Sequence, residues 1–468
     1  MTKQEAVIKY IEDNYLQFNR LRHDVVSDKL QIRLSGEEAM RLLGERHEYW
    51  REMTKHDINS IVCHCAQECD VNITSREVMT ALQSDLIPDV HPLREYILSL
   101  PPFTPDQPDW IDWVAQQVHV RSGAPDRPAG CRSAQVPVDG RSAAPVVFHN
   151  ESTASNASEL QCSTSETIYS EATHSSQRER SEADRLWRAC FKKWFVAMVA
   201  SWMRDDIVNH QVLVLIGKQG IYKTTWLEHL IPPHLRAYAC KLANSADLNK
   251  DERLRIAEFG LISLDEIDSM NSRELNQLKS IITATDVNER AAYAYTKERR
   301  VRLASFCASG NRRDFLTDIT GNRRWLPFEV ESIQSPFTTI LPYERMYAQA
   351  WALAQDPFFS YWFDLDEIEV LEQHNQHFRD ESNEEQLLPI LFDVPAEGKG
   401  EFLTTAQISE RLITYGNIKK PMALSRLGML LGAHGFQKKT IGVQRLRGWL
   451  VYQRSMDEIN ANKRLYAK

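Results

Sequence analysis

The chain has 468 residues, 43% apolar and 26% charged, enough for two to four domains with a sizeable core, which excludes a mini-protein or a fibre. A formal charge of −8 excludes a uniformly basic nucleic-acid coat, so binding of that kind has to use local patches. The eight cysteines form no regular framework and the first residues lack the apolar core of a signal peptide, so a cytoplasmic protein is expected.

In chain order, residues 1–120 read as a helical N-terminal domain, with capping boxes at Ser35–Glu38 and Thr74–Glu77 opening apolar-periodic runs. Cys63, His64, Cys65 and Cys69 fall on one of these helices, where adjacent residues point apart, so core thiols and no zinc are expected. Residues 121–182 are rich in Pro, Gly, Ser and Thr with few large apolar residues, the composition of a disordered linker. From residue 183 a wide apolar stripe (Leu186, Trp187, Cys190, Phe191, Trp194, Met198) predicts a packed core helix; Arg188, Lys192 and Lys193 interrupt it, which excludes a membrane span. The runs "QVLVLI", "GLISLD" and "VRLASFC", separated by helical lengths, predict an α/β core with a mostly parallel sheet over 183–345. Residues 346–399 read as an acidic helical segment. Residues 400–454 read as two helices and a basic hairpin bracketed by Gly442 and Gly448, a winged-helix-like domain, and 455–468 as a tail.

The strongest chemical signal is Gly217-Lys218-Gln219-Gly220-Ile221-Tyr222-Lys223-Thr224, between a predicted strand and the helical run that begins at Thr225. A turn there can surround a triphosphate with backbone N–H groups, Lys223 reaching the β/γ oxygens and Thr224 ligating magnesium. Gly217, Gly220, Lys223, Thr224 and Thr225 are the candidate ATP-binding residues. Tyr222 stands where such a loop has its second glycine, and Gly220 is expected to supply the backbone freedom instead. The strand "LISL" ends in Asp265-Glu266: Asp265 suits a position near magnesium and Glu266 one that polarises a water, the alternative being an acidic turn with a capping Asp. Asn311, at the tip of the next apolar strand, can reach a γ-phosphate or simply form a turn. Arg323 and Arg324 precede a further strand; a guanidinium fork suits a γ-phosphate, and in ring ATPases it is often supplied to the neighbouring subunit's site.

The succession "GKQGIYKTT", "LISLDEID", "RAAYAYTKERRVRLASFCASGN" and "DITGNRRWLPFEV" resembles the virulence-associated protein E family, related to superfamily 3 helicases and to the helicase part of poxvirus-type primase-helicases. The resemblance covers roughly 186–330. It implies an AAA+-like ATPase, commonly a hexameric ring on DNA, encoded by phages or other mobile elements. Residue by residue it implies Lys223 and Thr224 in the phosphate loop, Asp265 and Glu266 in Walker B, Asn311 as sensor 1, and Arg323 or Arg324 as finger. Arg290 and Tyr293 match the region that, in superfamily 3, leads into a DNA-gripping pore hairpin.

Local charge agrees. From Lys297 to Arg324 eight basic residues face three acidic ones, a net of +5, and from Glu401 to Arg454 nine face two, a net of +7. Beside Tyr293 and Tyr295, the cations Lys297, Arg299, Arg300 and Arg302 suit a single strand. Lys438, Lys439, Arg445 and Arg447 suit a wing, with Lys419, Lys420 and Arg426 near the second helix. The chain has no acidic metal site for primer synthesis and is not expected to be a primase itself, though a separate primase is a candidate partner. The expectation is an ATP-driven, magnesium-dependent translocase or helicase on single-stranded or forked DNA. Two alternatives stay open: a nucleotide-switched sensor or anti-phage ATPase, and a replication initiator whose ATP site sets assembly.

Overall fold

The structure, a computed structural model, describes residues 2–34, 37, 49–121, 170–242, 255–289, 298–316, 322–396, 400–442 and 445–460, with side chains from residue 182 onward in the helix that starts at Ser170. Most of the expected linker, the Ser35–Glu38 capping box, and Arg290, Tyr293, Tyr295 and Lys297 lie outside these residues.

The N-terminal part is not the helical domain expected. Helix α1 (Lys3–Ile11) is followed by β1 (Leu21–Asp24), β2 (Lys29–Leu34), β3 (Tyr49–Glu52), α2 (Lys55–Cys69), α3 (Ser75–Leu82) and β4 (Asp89–Val90). The strands form a sheet in the order β3-β2-β1-β4, antiparallel except for β1 and β4. They are short and polar on one face; only Leu21 and Ile32 join α1–α3 in the fully buried part of this core. One or two inward positions per strand cannot be told from a helical period by sequence alone. The Thr74–Glu77 capping box forms as read, and Thr54–Asp57 makes another at the start of α2. On α2, Cys65 is buried, Cys69 half-buried and Cys63 exposed, so the expectation of core thiols holds fully for Cys65 alone; residues two apart on a helix point to different faces.

The boundary expected near residue 120 also shifts. Helices α4 (Pro92–Ser99) and α5 (Trp110–Ala115) and strand β5 (Val118–Val120) belong to the central core. That core is a six-stranded sheet built with β6 (Val212–Ile216), β7 (Ala239–Leu242), β8 (Leu261–Leu264), β11 (Ser305–Gly310) and β12 (Trp325–Ile333), in the order β5-β12-β6-β11-β8-β7. All neighbours are parallel except β5 and β12. The long helix α6 (Ser170–Met203) covers one face, bringing Trp187, Phe191, Trp194 and Trp202 against Leu213 and Leu215. Helix α8 (Ser272–Thr283) covers the other, against Val212, Val214 and Ile216. Burial on both faces is why β6 reads as an unbroken apolar run and not an alternation. Helix α6 begins at Ser170, inside the stretch whose composition suggested a linker. Helix α7 (Lys223–His229) follows β6, and β9 (Asp286–Glu289) with β10 (Glu298–Val301) makes a separate antiparallel hairpin between α8 and β11.

A boundary at 345/346 would cut helix α9 (Tyr343–Gln355), whose Met346, Tyr347 and Ala350 pack into the central core. Helix α10 (Leu365–Asn375) is pinned to the same sheet: Asn375 donates to the carbonyls of Asn322 and Trp325, and His374 pairs with that of Pro327. The last unit has its own core: α11 (Asn383–Leu391), β13 (Phe392–Asp393), β14 (Glu401–Leu403), α12 (Thr405–Gly416), α13 (Leu424–Ala433), β15 (Gln437–Ile441) and β16 (Leu446–Gln453). The helix, helix, hairpin order is as read. Gly442 turns the hairpin with φ +74, whereas Gly448 lies inside β16, where a Cβ would stand 2.5 Å from the Leu403 carbonyl. It is a close-approach glycine and not a turn residue. Among the described residues no helix is long and apolar enough to cross a membrane.

Candidate functional site

Strand β6 lies between β11 and β12, and the chain leaves its C-terminal end for β7 at the far side of the sheet, while β12 is reached on the other side. Connections that depart in opposite directions leave a crevice beyond the strand ends, where open α/β sheets bind ligands. The loop Gly217–Tyr222 occupies that crevice. Gly217 donates to the Gly310 carbonyl at 3.1 Å, and a Cβ at Gly217 would stand 2.6 Å from the Val330 carbonyl, so this approach requires glycine. Gly220 has φ +87 in open space, and Tyr222, directly before α7, has φ +68. Gly220 thus supplies backbone freedom as expected, and Tyr222 itself also adopts the left-handed conformation, at a strain of roughly 1 kcal/mol for a residue with a Cβ.

Lys223 is 6% exposed. Its Nζ donates to the carbonyls of Gly217 (2.8 Å) and Lys218 (2.7 Å) and to Asn311 Oδ1 (3.2 Å). Burial pushes its pKa down, opposed by the nearby carboxylates of Asp268 and Asp265. Asp265, at the end of β8, accepts from the Thr224 hydroxyl (3.3 Å) and the Ser309 hydroxyl (2.8 Å) on Oδ1, and pairs through Oδ2 with Lys241 Nζ (2.9 Å). Burial raises the Asp265 carboxyl, but Lys241, Ser309 and Thr224 outweigh it and hold its pKa below the usual value. Glu266 is exposed, with φ +53. A non-glycine residue is held in that region only where its surroundings dictate it, as at ligand clamps and active sites. Thr225 sits one residue further into α7, its carbonyl paired with His229 Nδ1 at 2.7 Å.

The sequence reading missed three residues of this cluster. Ser309 bridges Thr224 and Asp265, with 2.8 Å to each. Lys241, on the neighbouring strand β7, holds the other Asp265 oxygen. Asp268 accepts from the backbone N–H groups of Asn311 (3.2 Å) and Arg312 (3.1 Å), fixing the turn that presents Asn311; a Cβ at Gly310 would stand 2.8 Å from its Oδ1. Ser309 had a signal in being polar within an apolar strand. The lone lysine in β7 had none until the strand order was known.

Arg323 and Arg324 do not join the cluster. They end a 3-10 turn directly before Trp325, which pairs in parallel with Val212, the first residue of β6. The loop follows Ile216, the last, so the arginines stand at the opposite edge of the sheet, roughly 13 Å of strand away at about 3.3 Å per residue. Arg323 is exposed and Arg324 partly buried, with its pKa lowered by burial and by Arg323.

The basic residues divide. Arg302 is 1% exposed, and its guanidinium donates to the carbonyls of Ala304, Ile282, Ala284 and Asn209. The expectation of a nucleic-acid contact there is overturned, because those N–H groups are spent on tying β11 to α8. Arg300 is also engaged, with Asp28 at 2.7 Å and Glu258 at 3.6 Å. Arg299 projects from the hairpin, 76% exposed, beside Asp286. Lys438, Lys439, Arg445 and Arg447 are all exposed on the C-terminal hairpin, and Lys419 and Lys420 are exposed before α13.

Chemically, an anion fits the loop: glycine-permitted N–H groups, a helix N-terminus and a buried ammonium converge there. The hydroxyl of Thr224 and the carboxylate of Asp265 are hard oxygen donors of the kind a small divalent cation takes, and the Lys241 ammonium already sits on Asp265 as a stand-in cation.

The model of the virulence-associated protein E-like domain matches residues 166–386, from α6 through α10 into α11. This segment is a virulence-associated protein E-like domain. It takes in the whole cluster and both arginines, and leaves out the N-terminal unit and the C-terminal hairpin. Among solved structures, "The A form apo structure of NrS-1 C terminal region-CTR(305-718)" aligns with 96% of this chain and 99% of its own, at 8% identity and a TM-score of 0.44. "The apo structure of NrS-1 C terminal region (305-718)" aligns with 97% and 100%, at 10% identity and a TM-score of 0.43. No curated protein matches the chain.

Proposed function

We propose that the chain is an ATP-dependent DNA translocase or helicase, working as a ring, expected to be a hexamer, in the replication of a phage or mobile element. The observation that carries this reading is the convergence of Lys223, Thr224, Asp265, Ser309 and Asn311 on one crevice, while Arg323 and Arg324 stand at the opposite edge. A fold that separates the arginines from their own crevice leaves them free to serve the crevice of the next subunit. The virulence-associated protein E-like domain over the same residues supports the assignment.

In this reading Lys223 exchanges the carbonyls of Gly217 and Lys218 for β and γ oxygens, and the N–H groups of the loop and of α7 bind the remaining phosphate charge. Thr224 and Asp265 would hold magnesium, which neutralises phosphate charge when bound with the nucleotide. Glu266 accepts a proton from the water that attacks the γ-phosphorus, as the bond to the β–γ bridging oxygen breaks. Asn311, positioned by Asp268, orients that water or a γ oxygen. Arg323 or Arg324 of the adjacent subunit stabilises the charge of the transition state. Arg299 and the cations of the C-terminal, winged-helix-like hairpin are the candidate DNA contacts.

The test uses the full chain. Lys223→Ala loses nucleotide binding or hydrolysis, whereas Arg323→Ala or Arg324→Ala loses hydrolysis and retains binding. Mixing Lys223→Ala with the inactive arginine variant restores part of the turnover if sites are shared between subunits. Unchanged turnover in Lys223→Ala would sink the proposal.

A further inference from the structure

Tyr222 is left unexplained by the phosphate chemistry. It carries a Cβ at a position with φ +68, which a glycine would adopt without strain, and the residue is 41% exposed. The Tyr222 ring meets Phe337, in the segment that leaves β12, edge to face with centroids 6.1 Å apart, and the His229 imidazole also meets Phe337 edge to face at 5.6 Å. Phe337 is 70% exposed. Two large rings left in water, touching each other at the rim of a loop that suits phosphates, form an incomplete aromatic stack.

The strand order says which part of a nucleotide comes here. Asp265, Asn311 and Ser309 lie on β8 and β11, to one side of β6, so the γ-phosphate end points that way. The ribose and base therefore leave toward the other neighbour of β6, which is β12, and the segment after β12 carries Phe337. We propose that Tyr222 and Phe337 are the base subsite: the nucleobase of the nucleotide held by the 217–224 loop stacks on this pair. The inference rests on the nucleotide reading above and adds the residues that grip the base. Every base offers a π face, so a platform of this kind grips without reading hydrogen-bond edges, and ATP and GTP are held nearly alike.

The experiment measures equilibrium binding of ATP, GTP and inorganic tripolyphosphate to the full chain, as wild type, Tyr222→Gly, Tyr222→Phe and Phe337→Ala. Tyr222→Gly relieves the backbone strain, so its fold is retained, and circular dichroism checks this. Stacking of one base implies that Phe337→Ala weakens ATP and GTP by roughly 5- to 100-fold and leaves tripolyphosphate unchanged, that Tyr222→Gly weakens ATP and GTP relative to tripolyphosphate by a similar factor, and that Tyr222→Phe behaves as wild type. A loss shared equally by ATP and tripolyphosphate, or no loss in either variant, overturns the base subsite and spares the nucleotide reading. Binding of neither ATP nor tripolyphosphate by the wild type overturns the nucleotide reading and the base subsite with it.

Discussion

Arg302 separates the two meanings of a basic stretch. Its guanidinium is buried among four carbonyl oxygens, with Nε to Ala304 at 3.1 Å, Nη2 to Asn209 at 2.8 Å, and Nη1 shared between Ile282 and Ala284. Its plane also lies 5.1 Å from the Phe306 ring. Burial pushes its pKa down to about 9, so it remains charged at neutral pH and its desolvation opposes the hydrogen bonds. In Arg302→Met that desolvation is relieved, but four buried carbonyls lose their donor at roughly 1 kcal/mol or more each, which leaves a net destabilisation of about 2–4 kcal/mol. At roughly 2–4 °C per kcal/mol for a large domain, the melting temperature falls by about 5–15 °C. Arg302→Lys keeps a charge but cannot span the four acceptors and falls by a similar amount. The assay is thermal denaturation beside DNA binding measured well below the transition. Stability unchanged and DNA affinity lost in Arg302→Met would refute the reasoning.

Three further outcomes follow from the same geometry. Burial pushes the imidazoles of His374 and His91 down to about 4 from 6.5; with folded values below the unfolded one, the stability they confer is fully present above pH 6.5 and lost as pH falls toward 4, about 3 kcal/mol for His374. The melting temperature should drop across that window and drop less in His374→Gln, and a flat profile contradicts this. Lys241→Met removes the cation on Asp265 Oδ2, a half-exposed pair, so the magnesium concentration that half-supports nucleotide binding should fall by roughly 2- to 5-fold; a rise would show Lys241 assisting the metal. Replacing Lys438, Lys439, Arg445 and Arg447 together by alanine should reduce the salt slope of duplex binding by about 3 to 4, near 0.9 for each phosphate contact, and an unchanged slope would remove the hairpin from the DNA interface.

The parallel core was legible because β6, β8 and β11 are buried on both faces and so read as short, largely apolar runs without alternation, β6 without a break. The cluster was legible because Lys223, Thr224, Asp265 and Asn311 each sit at a strand or helix end whose position the motif order announces. What stayed hidden depends on contacts between distant segments. The N-terminal strands present too few inward residues to show a period, and β5 joins the central sheet by pairing with β12, more than 200 residues away. Arg302 looks like Arg299 in sequence, and only the packing of α8 against β11 buries one and exposes the other. Lys241 and Ser309 become partners of Asp265 only when β7, β8 and β11 are neighbours.

The most direct test of the account is ATP hydrolysis by the full chain without DNA, with single-stranded DNA and with forked DNA, in the wild type and in Glu266→Gln. The account predicts turnover that DNA stimulates and that Glu266→Gln abolishes while nucleotide binding persists. Turnover indifferent to DNA would contradict the motor and favour a nucleotide switch, and turnover that survives Glu266→Gln would contradict the role given to the β8 carboxylates.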